Sequence, residues 1–294
     1  MKGVNVNEYG AVVLYYRRGV EFRSTLDDLL SQSVPPSDVV VVDNASNDGV
    51  IESISHDYPS VSFIESASNV GYSGGMNLGM RSLRADSAWI LCLTHEVRLD
   101  QDCVSEMLSA AGKSAIEVVQ AGPVLQFLGT ADIWSRGGAF TRTGAPVHIV
   151  ARESSADFQE VNWLDGSCTL TRSAAFAKYG HFDEDFYLYW EDVELSTRFG
   201  MHGAVINVST ANAKQSTSTT PVYYKARNRV LYWRKRRSLI NVVHAVVFNA
   251  AKLSLQDVLL RKSGWRLRAR ARRLGMVDGF SGRLRPDLGG VREI

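Results

Sequence analysis

Cysteine is scarce in this 294-residue chain: Cys92, Cys103 and Cys168 are the only three. Their odd number and lack of CxxC spacing exclude a disulfide framework and a zinc site, and predict three reduced thiols in packing roles. The N-terminus lacks the basic region, apolar stretch and small-residue cleavage site of a secretory leader. A long apolar run is missing too. The longest, Leu239 to Ala251, falls short of the roughly 20 residues that a membrane-spanning helix needs. These absences lead to the expectation of a cytoplasmic protein. Neither GxGxxG nor a P-loop occurs, which disfavours dinucleotide binding and ATP hydrolysis.

Net charge is also small, +2, but it hides an asymmetry. Residues 225–273 carry fifteen Lys and Arg against one acid, Asp257, leaving 18 basic against 30 acidic residues elsewhere. The 45% hydrophobic content is ample for a sizeable core. Over the first hundred residues, short β-rich runs (Ala11 to Tyr16, Val39 to Val42, Ser62 to Ile64, Trp89 to Leu93) alternate with amphipathic stretches near 21–33, 49–57 and 74–84. This alternation predicts an α/β fold with a mainly parallel, Rossmann-like sheet flanked by helices. Ligands of such sheets bind beyond the carboxyl ends of the strands. The residues there are Arg17 and Arg18, then Asp43, Asn44 and Ser46, then 69–77, then Thr94, His95 and Glu96.

Asp43 closes the VVVVD run, where a carboxylate suits a ribose or base; DNASND is equally good Asx-turn chemistry. NVGYSGGMNLG (69–79) is glycine-rich and opens a helix, so its backbone N–H groups are candidates for approach to a phosphate. VNWLDGSCTLT (161–171) reads as a strand interrupted at Asp165-Gly166. Trp163 there suits either the core or the floor of a sugar pocket.

GHFDEDFYLYWEDVEL (180–195) sets an acidic pair within an apolar segment. A helix starting after Tyr189 puts Leu188, Asp192, Leu195 and Phe199 on one face, with Glu191 and Glu194 off it and Glu194 paired to Arg198 one turn on. A carboxylate among Leu, Phe, Tyr and Trp has its pKa pushed upward, toward that of a useful general base. The alternative is a helix N-terminal carboxylate acting as cap or dipole partner.

Taken in order, VDNASND (42–48), NVGYSGGMNLG, WLDG (163–166), GHFDEDFYLYWEDVEL and YYKARNR (223–229) resemble the family 2 glycosyltransferases, most closely their bacterial rhamnosyltransferase-like branch. The resemblance covers roughly residues 9–230. It implies a GT-A fold and an inverting transfer of a sugar, a rhamnose-like deoxyhexose or a hexose, from a UDP- or dTDP-sugar donor. Carried over residue by residue, Asp43 with Asn44 beside it matches the nucleoside-holding acid, and Asn69, Gly75 and Asn77 match the nucleotide loop. Asp192 matches the catalytic base, with Glu191 in support. Trp163, Asp165 and Trp190 fall on the acceptor side. The implied domains are a catalytic unit at 1–222, with a nucleotide-sugar half at 1–100 and an acceptor half at 101–222, and a basic helical C-terminal region at 223–294.

Two departures bear on the cofactor, which in this family is Mg2+ or Mn2+. Where the family has an Asp-x-Asp motif, this chain has Thr94-His95-Glu96, so Glu96 is the one metal-ligating carboxylate kept. Where the family has a metal-binding His, Lys214 stands at or near the place in AKQSTS. A charged lysine ligates no metal, so Lys214, with Arg227 or Arg229, is expected to supply the positive charge instead. The competing expectation is an ion on Glu96, His95 and the donor phosphates. Tyr15-Tyr16-Arg17 also replaces a Thr-Tyr-Asn common in the family, which leaves donor identity open.

The expected acceptor is a hydroxyl of a glycan, lipid-linked or small molecule. For the basic C-terminal region the sequence points to an anionic membrane surface, or alternatively to a helical hairpin packed on the catalytic unit. Nucleic acid is disfavoured, since no recognition motif accompanies the arginines. The alternatives to a transferase are a nucleotidyltransferase, whose loop and lysine near the first strand are lacking, and a catalytically degenerate protein that binds nucleotide-sugars.

Overall fold

The computed structural model of the chain describes residues 8–290 apart from 85, 152–154, 217–220, 254, 256–258 and 260–263. The predicted alternation is present as β1 (Tyr9–Tyr15), α1 (Phe22–Leu30), β2 (Asp38–Asp43), α2 (Val50–Ile54), β3 (Val61–Glu65), α3 (Gly71–Ser82) and β4 (Trp89–Thr94). The chain continues with β5 (Arg98–Leu99), α4 (Cys103–Lys113), β6 (Val118–Phe127), β7 (Ile133–Ser135), β8 (Gly138–Phe140), β9 (Pro146–His148) and β10 (Phe158–Glu160). Then come β11 (Cys168–Arg172), α5 (Ser173–Tyr179), α6 (Glu191–Phe199) and β12 (Ala204–Gln215). Three helices follow: α7 (Val222–Lys235), α8 (Leu239–Lys252) and α9 (Trp265–Ser281).

The main sheet runs β10-β12-β6-β11-β4-β1-β2-β3, with β5 on β12 and β7 on β6. Strands β3, β2, β1 and β4 are mutually parallel, and β6 and β12 are parallel to each other. Antiparallel β11 is inserted between β4 and β6. Successive side chains of a strand point to opposite faces, and β1 shows this directly. Tyr9, Ala11 and Val13 join the core under α1 and α4, while Val12 and Leu14 join the one under α3, α5 and α6. Helices on both faces explain why all seven residues of β1 are buried.

The glycine-rich stretch has a different use from the one expected. Gly75 and Gly79 lie inside α3 and face the sheet: a Cβ on Gly75 would sit 2.4 Å from Leu14 Cδ1, and one on Gly79 2.2 Å from Val12 Cγ1. Their lack of side chain lets α3 lie close on β1, so these glycines serve helix–sheet contact and not a phosphate cradle.

At the C-terminal end, α9 crosses α7 at Gly275 and Gly279, where a Cβ would meet the carbonyls of Tyr223 and Arg227 at 2.7 and 2.6 Å. Of the basic stretch, Asp257, Arg261 and Lys262 lie outside the described residues, as do Thr217 and Ser218 of AKQSTS. Among the described residues no helix is long and apolar enough to cross a membrane.

Candidate active site

A cavity of about 300 Å³ opens beyond the ends of β4 and β12. It is bounded by Thr94 and Glu96, by 163–167 before β11, by 188–193, by Pro146 and His148 of β9, and by Gln215 and Lys225. Four carboxylates line it: Glu96, Asp165, Glu191 and Asp192.

Asp192 stands in the first turn of α6, where backbone N–H groups have no partner within the helix. The Val193 N–H donates to its Oδ1 at 2.7 Å, and the Gly166 N–H donates to its Oδ2 at 3.2 Å. Part of its surface stays open to the cavity. Burial, reinforced by the charge of Asp165, nevertheless outweighs these bonds and raises its pKa from 3.8 to about 7. Glu191 is more deeply set, at 5% exposure, with no partner for Oε2 among the described residues. Its carboxyl is pushed well above the usual range, by burial first and then by Asp192. This corrects the expectation that Glu191 lies off the apolar face. Glu191 stands four residues, about one turn, before buried Leu195, so the buried face of α6 is broad enough to take in both carboxylates.

The raised pKa has a consequence for stability. The folded chain holds the Asp192 proton up to about pH 7, the unfolded chain only to about 3.8. The stabilisation from protonation is therefore fully present below that lower value and is lost as pH rises through about 7. Urea unfolding across pH 4–8 should show stability falling with pH, and Asp192→Asn should flatten the slope. A slope identical in the variant would place the titrating group elsewhere.

The approach to α6 is strained. Tyr187, Tyr189 and Trp190 have φ of 59, 65 and 76°, each at a cost of about 1–3 kcal/mol for a side chain of this size. The turn persists because two elements grip it. Asn228 of α7 donates from Nδ2 to the carbonyls of Phe186, Leu188 and Tyr189 at 2.8, 3.0 and 2.6 Å. At the start of α3, the Ser73 N–H donates to the Tyr187 carbonyl at 3.2 Å. The Tyr187 hydroxyl donates to Asn69 Oδ1 at 2.9 Å. Gly71, at φ 74°, is needed because a Cβ would come within 2.4 Å of the Tyr187 carbonyl.

The structure thus brings together Glu96, Trp163, Asp165, Trp190, Glu191 and Asp192. The other residues singled out from the sequence lie around this group. Asp43, at the end of β2, accepts the Ser46 N–H at 2.9 Å, the Asx-turn geometry that its sequence allowed. Asn44 donates to Asn69 Oδ1 and the Gly71 carbonyl and accepts the Val70 N–H, fixing the entry to α3. Asn77 ties α3 to Phe182 and Glu184.

Lys214 and Arg227 are corrections. The Lys214 ammonium sits 3.6 Å from Asp100, because alternation along β12 turns Gln215, not Lys214, to the cavity. Arg227 is fully buried and donates to the carbonyls of Asp185, Gly282 and Arg283 and to Asn228 Oδ1. It is a structural clasp. Arg229 likewise bonds the Thr143 carbonyl and lies over Phe248. The lysine that reaches the cavity is Lys225.

Sequence reasoning passed over four further residues. The Trp134 indole N–H donates to Asp165 Oδ2 at 2.9 Å, and the Tyr72 hydroxyl donates to the Gly166 carbonyl at 2.5 Å. His148 packs edge-on to Trp163, its pKa lowered by burial. Lys225, in YYKARNR, is the exposed residue among the buried neighbours of the first turns of α7. Finally, His95 Nε2 lies 3.2 Å from Glu96 Oε2 at the β4 end.

The model of Glycosyl transferase family 2 matches residues 11–180. The N-acetylglucosaminyl-diphospho-decaprenol L-rhamnosyltransferase of Mycobacterium tuberculosis is 27% identical over 216 residues, 65% of this chain and 70% of that protein. The low-salt glycan biosynthesis hexosyltransferase Agl10 of Haloferax volcanii is 24% identical over 259 residues, 84% of this chain and 81% of its own. Among solved structures, GalNAc-T7 with UDP, GalNAc and Mn2+ is similar at a TM-score of 0.63 and 13% identity. That match covers 91% of this chain but 55% of the other, so this chain spans about half its length. The mannosyltransferase PcManGT of Pyrobaculum calidifontis, in complex with GDP-Man and Mn2+, is similar at a TM-score of 0.56 and 12% identity, covering 93% and 86%. At these identities the two structures bear on the fold alone.

Proposed function

This chain belongs to glycosyl transferase family 2, with the GT-A fold, and from that premise we propose an inverting transfer with Asp192 as its base. The donor is a UDP- or dTDP-sugar carrying a hexose or a rhamnose-like deoxyhexose. The acceptor is a hydroxyl of a glycan, a lipid-linked saccharide or a small molecule. One observation carries the reading: a carboxylate poised near pH 7 at the wall of an aromatic-lined cavity beyond the strand ends.

In this reading Asp192 takes the proton from the acceptor hydroxyl as its oxygen attacks the anomeric carbon. The bond to the nucleoside diphosphate breaks on the opposite face, which inverts the centre. Trp163 and Trp190 offer flat apolar faces to the acceptor, and Asp165, held by Trp134, offers a hydrogen-bond acceptor. The nucleoside lies along the strand-end rim of Tyr15, Asp43 and His95. Glu191, its carboxyl pushed upward by burial and by Asp192, stands beside the base. Three buried free thiols are in keeping with a cytoplasmic location.

Among the described residues no three of His, Cys, Asp and Glu are grouped to hold a divalent ion by themselves, so an ion here would be shared between one or two carboxylates and the donor phosphates. Glu96, the carboxylate left at the β4 end, faces His95. We assign neutralisation of the leaving diphosphate to Lys225, which reaches the cavity, in place of Lys214 and Arg227.

A donor panel read by release of UDP or dTDP tests both parts. Activity should survive excess EDTA, and Lys225→Ala should lower kcat by roughly tenfold to a hundredfold while Lys225→Arg retains most of it. A strict Mn2+ requirement would remove Lys225 from this role and leave transfer standing. No nucleotide release from any donor would sink the transferase reading itself.

A further inference from the structure

Helix α8 spans fourteen residues, LINVVHAVVFNAAK, of which Lys252 alone is formally charged at neutral pH. A helix apolar on all sides belongs in an apolar environment. Among the described residues, one face of α8 has one: Val242 and Ala245 pack with Val230 of α7. The outer face, with Ile240, Val243 and Val247 at helical spacing and Leu239 and Phe248 beside them, is 45–76% exposed.

Basic residues frame this face. Arg237 is exposed just before α8, and Lys252 closes it. Helix α9 touches α8 through buried Arg272 and Asn249, and turns Arg266, Arg270 and Arg273 to solvent. The acid of α9, Asp278, is buried against Arg285 and Tyr223 and does not offset them. An apolar stripe between cations matches the interface of a bilayer with anionic headgroups. A second copy of the chain would instead bring arginines against arginines.

The face is also tied to the site. Phe248 of α8 lies 4.8 Å under the Arg229 guanidinium, which donates to the Thr143 carbonyl at 2.9 Å. The Trp233 indole N–H donates to the Gly144 carbonyl at 2.9 Å. That turn joins β8 to β9, whose Pro146 and His148 line the cavity. We propose that the outer face of α8 lies in the plane of an anionic lipid surface, with the α9 arginines on the headgroups, which sets the cavity rim beside the membrane. This docking does not depend on which sugar is moved.

Co-sedimentation with phosphatidylcholine vesicles, with and without phosphatidylglycerol, tests it. The chain should bind the anionic vesicles at least about tenfold more tightly than the neutral ones. Joint Ile240→Glu, Val243→Glu and Val247→Glu should reduce this binding at least about tenfold, with circular dichroism and calorimetric UDP binding unchanged. Joint Arg266→Gln, Arg270→Gln and Arg273→Gln should weaken it roughly a hundredfold at low salt. Absence of binding to either vesicle, or equal binding by the triple Glu variant, would overturn the proposal. So would a dimer in light scattering that the Glu substitutions convert to monomer, since a second copy would then cover the face.

Discussion

Replacing Asp192 by Asn is expected to lower kcat about a thousandfold while donor binding stays within a few-fold of the parent. General bases contribute about 10²–10⁴ to rate, and Asp192 is placed for a large share. Its pKa of about 7 leaves it about half ionised near neutral pH yet basic enough to draw a proton, the compromise that makes a base effective. Asn keeps the shape and still accepts the Gly166 or Val193 N–H, so the fold and the donor site should survive. Single-turnover kinetics with calorimetric UDP binding separates the two quantities. The parent's kcat/KM should rise with pH and level off above about 7, because the base works only when deprotonated. Equal turnover by the variant would take Asp192 out of this role. The substitution should also stabilise the chain above about pH 7 by a few kcal/mol, since a neutral amide escapes the cost of a buried charge. A variant that is slower and more stable is the expected mark of a site built for function.

The parallel half of the fold was legible because its signals are local. In β1 to β4 each short β-rich run is followed by turn residues, and β1, β2 and β3 pair in sequence order, with β4 on the other side of β1. The second half of the sheet resisted for the opposite reason. Strands β7 to β10 have three residues each, too few to show a period, and β11 pairs with β4 and β6 across long stretches of chain. Within the site, residue types were read well and side-chain directions less well. One step along β12 exchanges Lys214 for Gln215 at the cavity. Glu191 is buried because it lies one turn before Leu195, on a buried face wider than the stripe through Asp192, Leu195 and Phe199. Arg227 shows a further limit. A guanidinium in a basic motif reads as anion-binding until the carbonyls of 185, 282 and 283 are seen to converge on it. Gly75 illustrates the same ambiguity, for a glycine needed by Leu14 and a glycine needed by a phosphate look alike in sequence.

Asn228 should prove nearly as important as the base without touching the substrate. It is wholly buried, and its amide holds three carbonyls of the turn in which Tyr187, Tyr189 and Trp190 take left-handed backbone conformations. That turn feeds directly into Glu191 and Asp192, so its strain is stored beside the reacting groups, and its release would let the first turn of α6 relax. Asn228→Ala leaves buried carbonyls unpaired at about 1–3 kcal/mol each, and a net loss of about 3 kcal/mol is expected by urea unfolding. Asn228→Asp should be worse, because a carboxylate in place of the amide nitrogen faces carbonyl oxygens. Misplacing a catalytic group by about 1 Å costs on the order of a hundredfold in rate. Assayed at a temperature where the variant remains folded, Asn228→Ala should therefore lose about that much in kcat with UDP affinity unchanged, since the turn borders the acceptor side. A variant that is destabilised but turns over normally would show that the turn holds its shape without Asn228. Joint loss of UDP affinity would point to a general loosening of the fold. The split between kcat and nucleotide binding thus separates a positioning residue from a merely structural one, and identifies the strained turn as the part that aims Asp192.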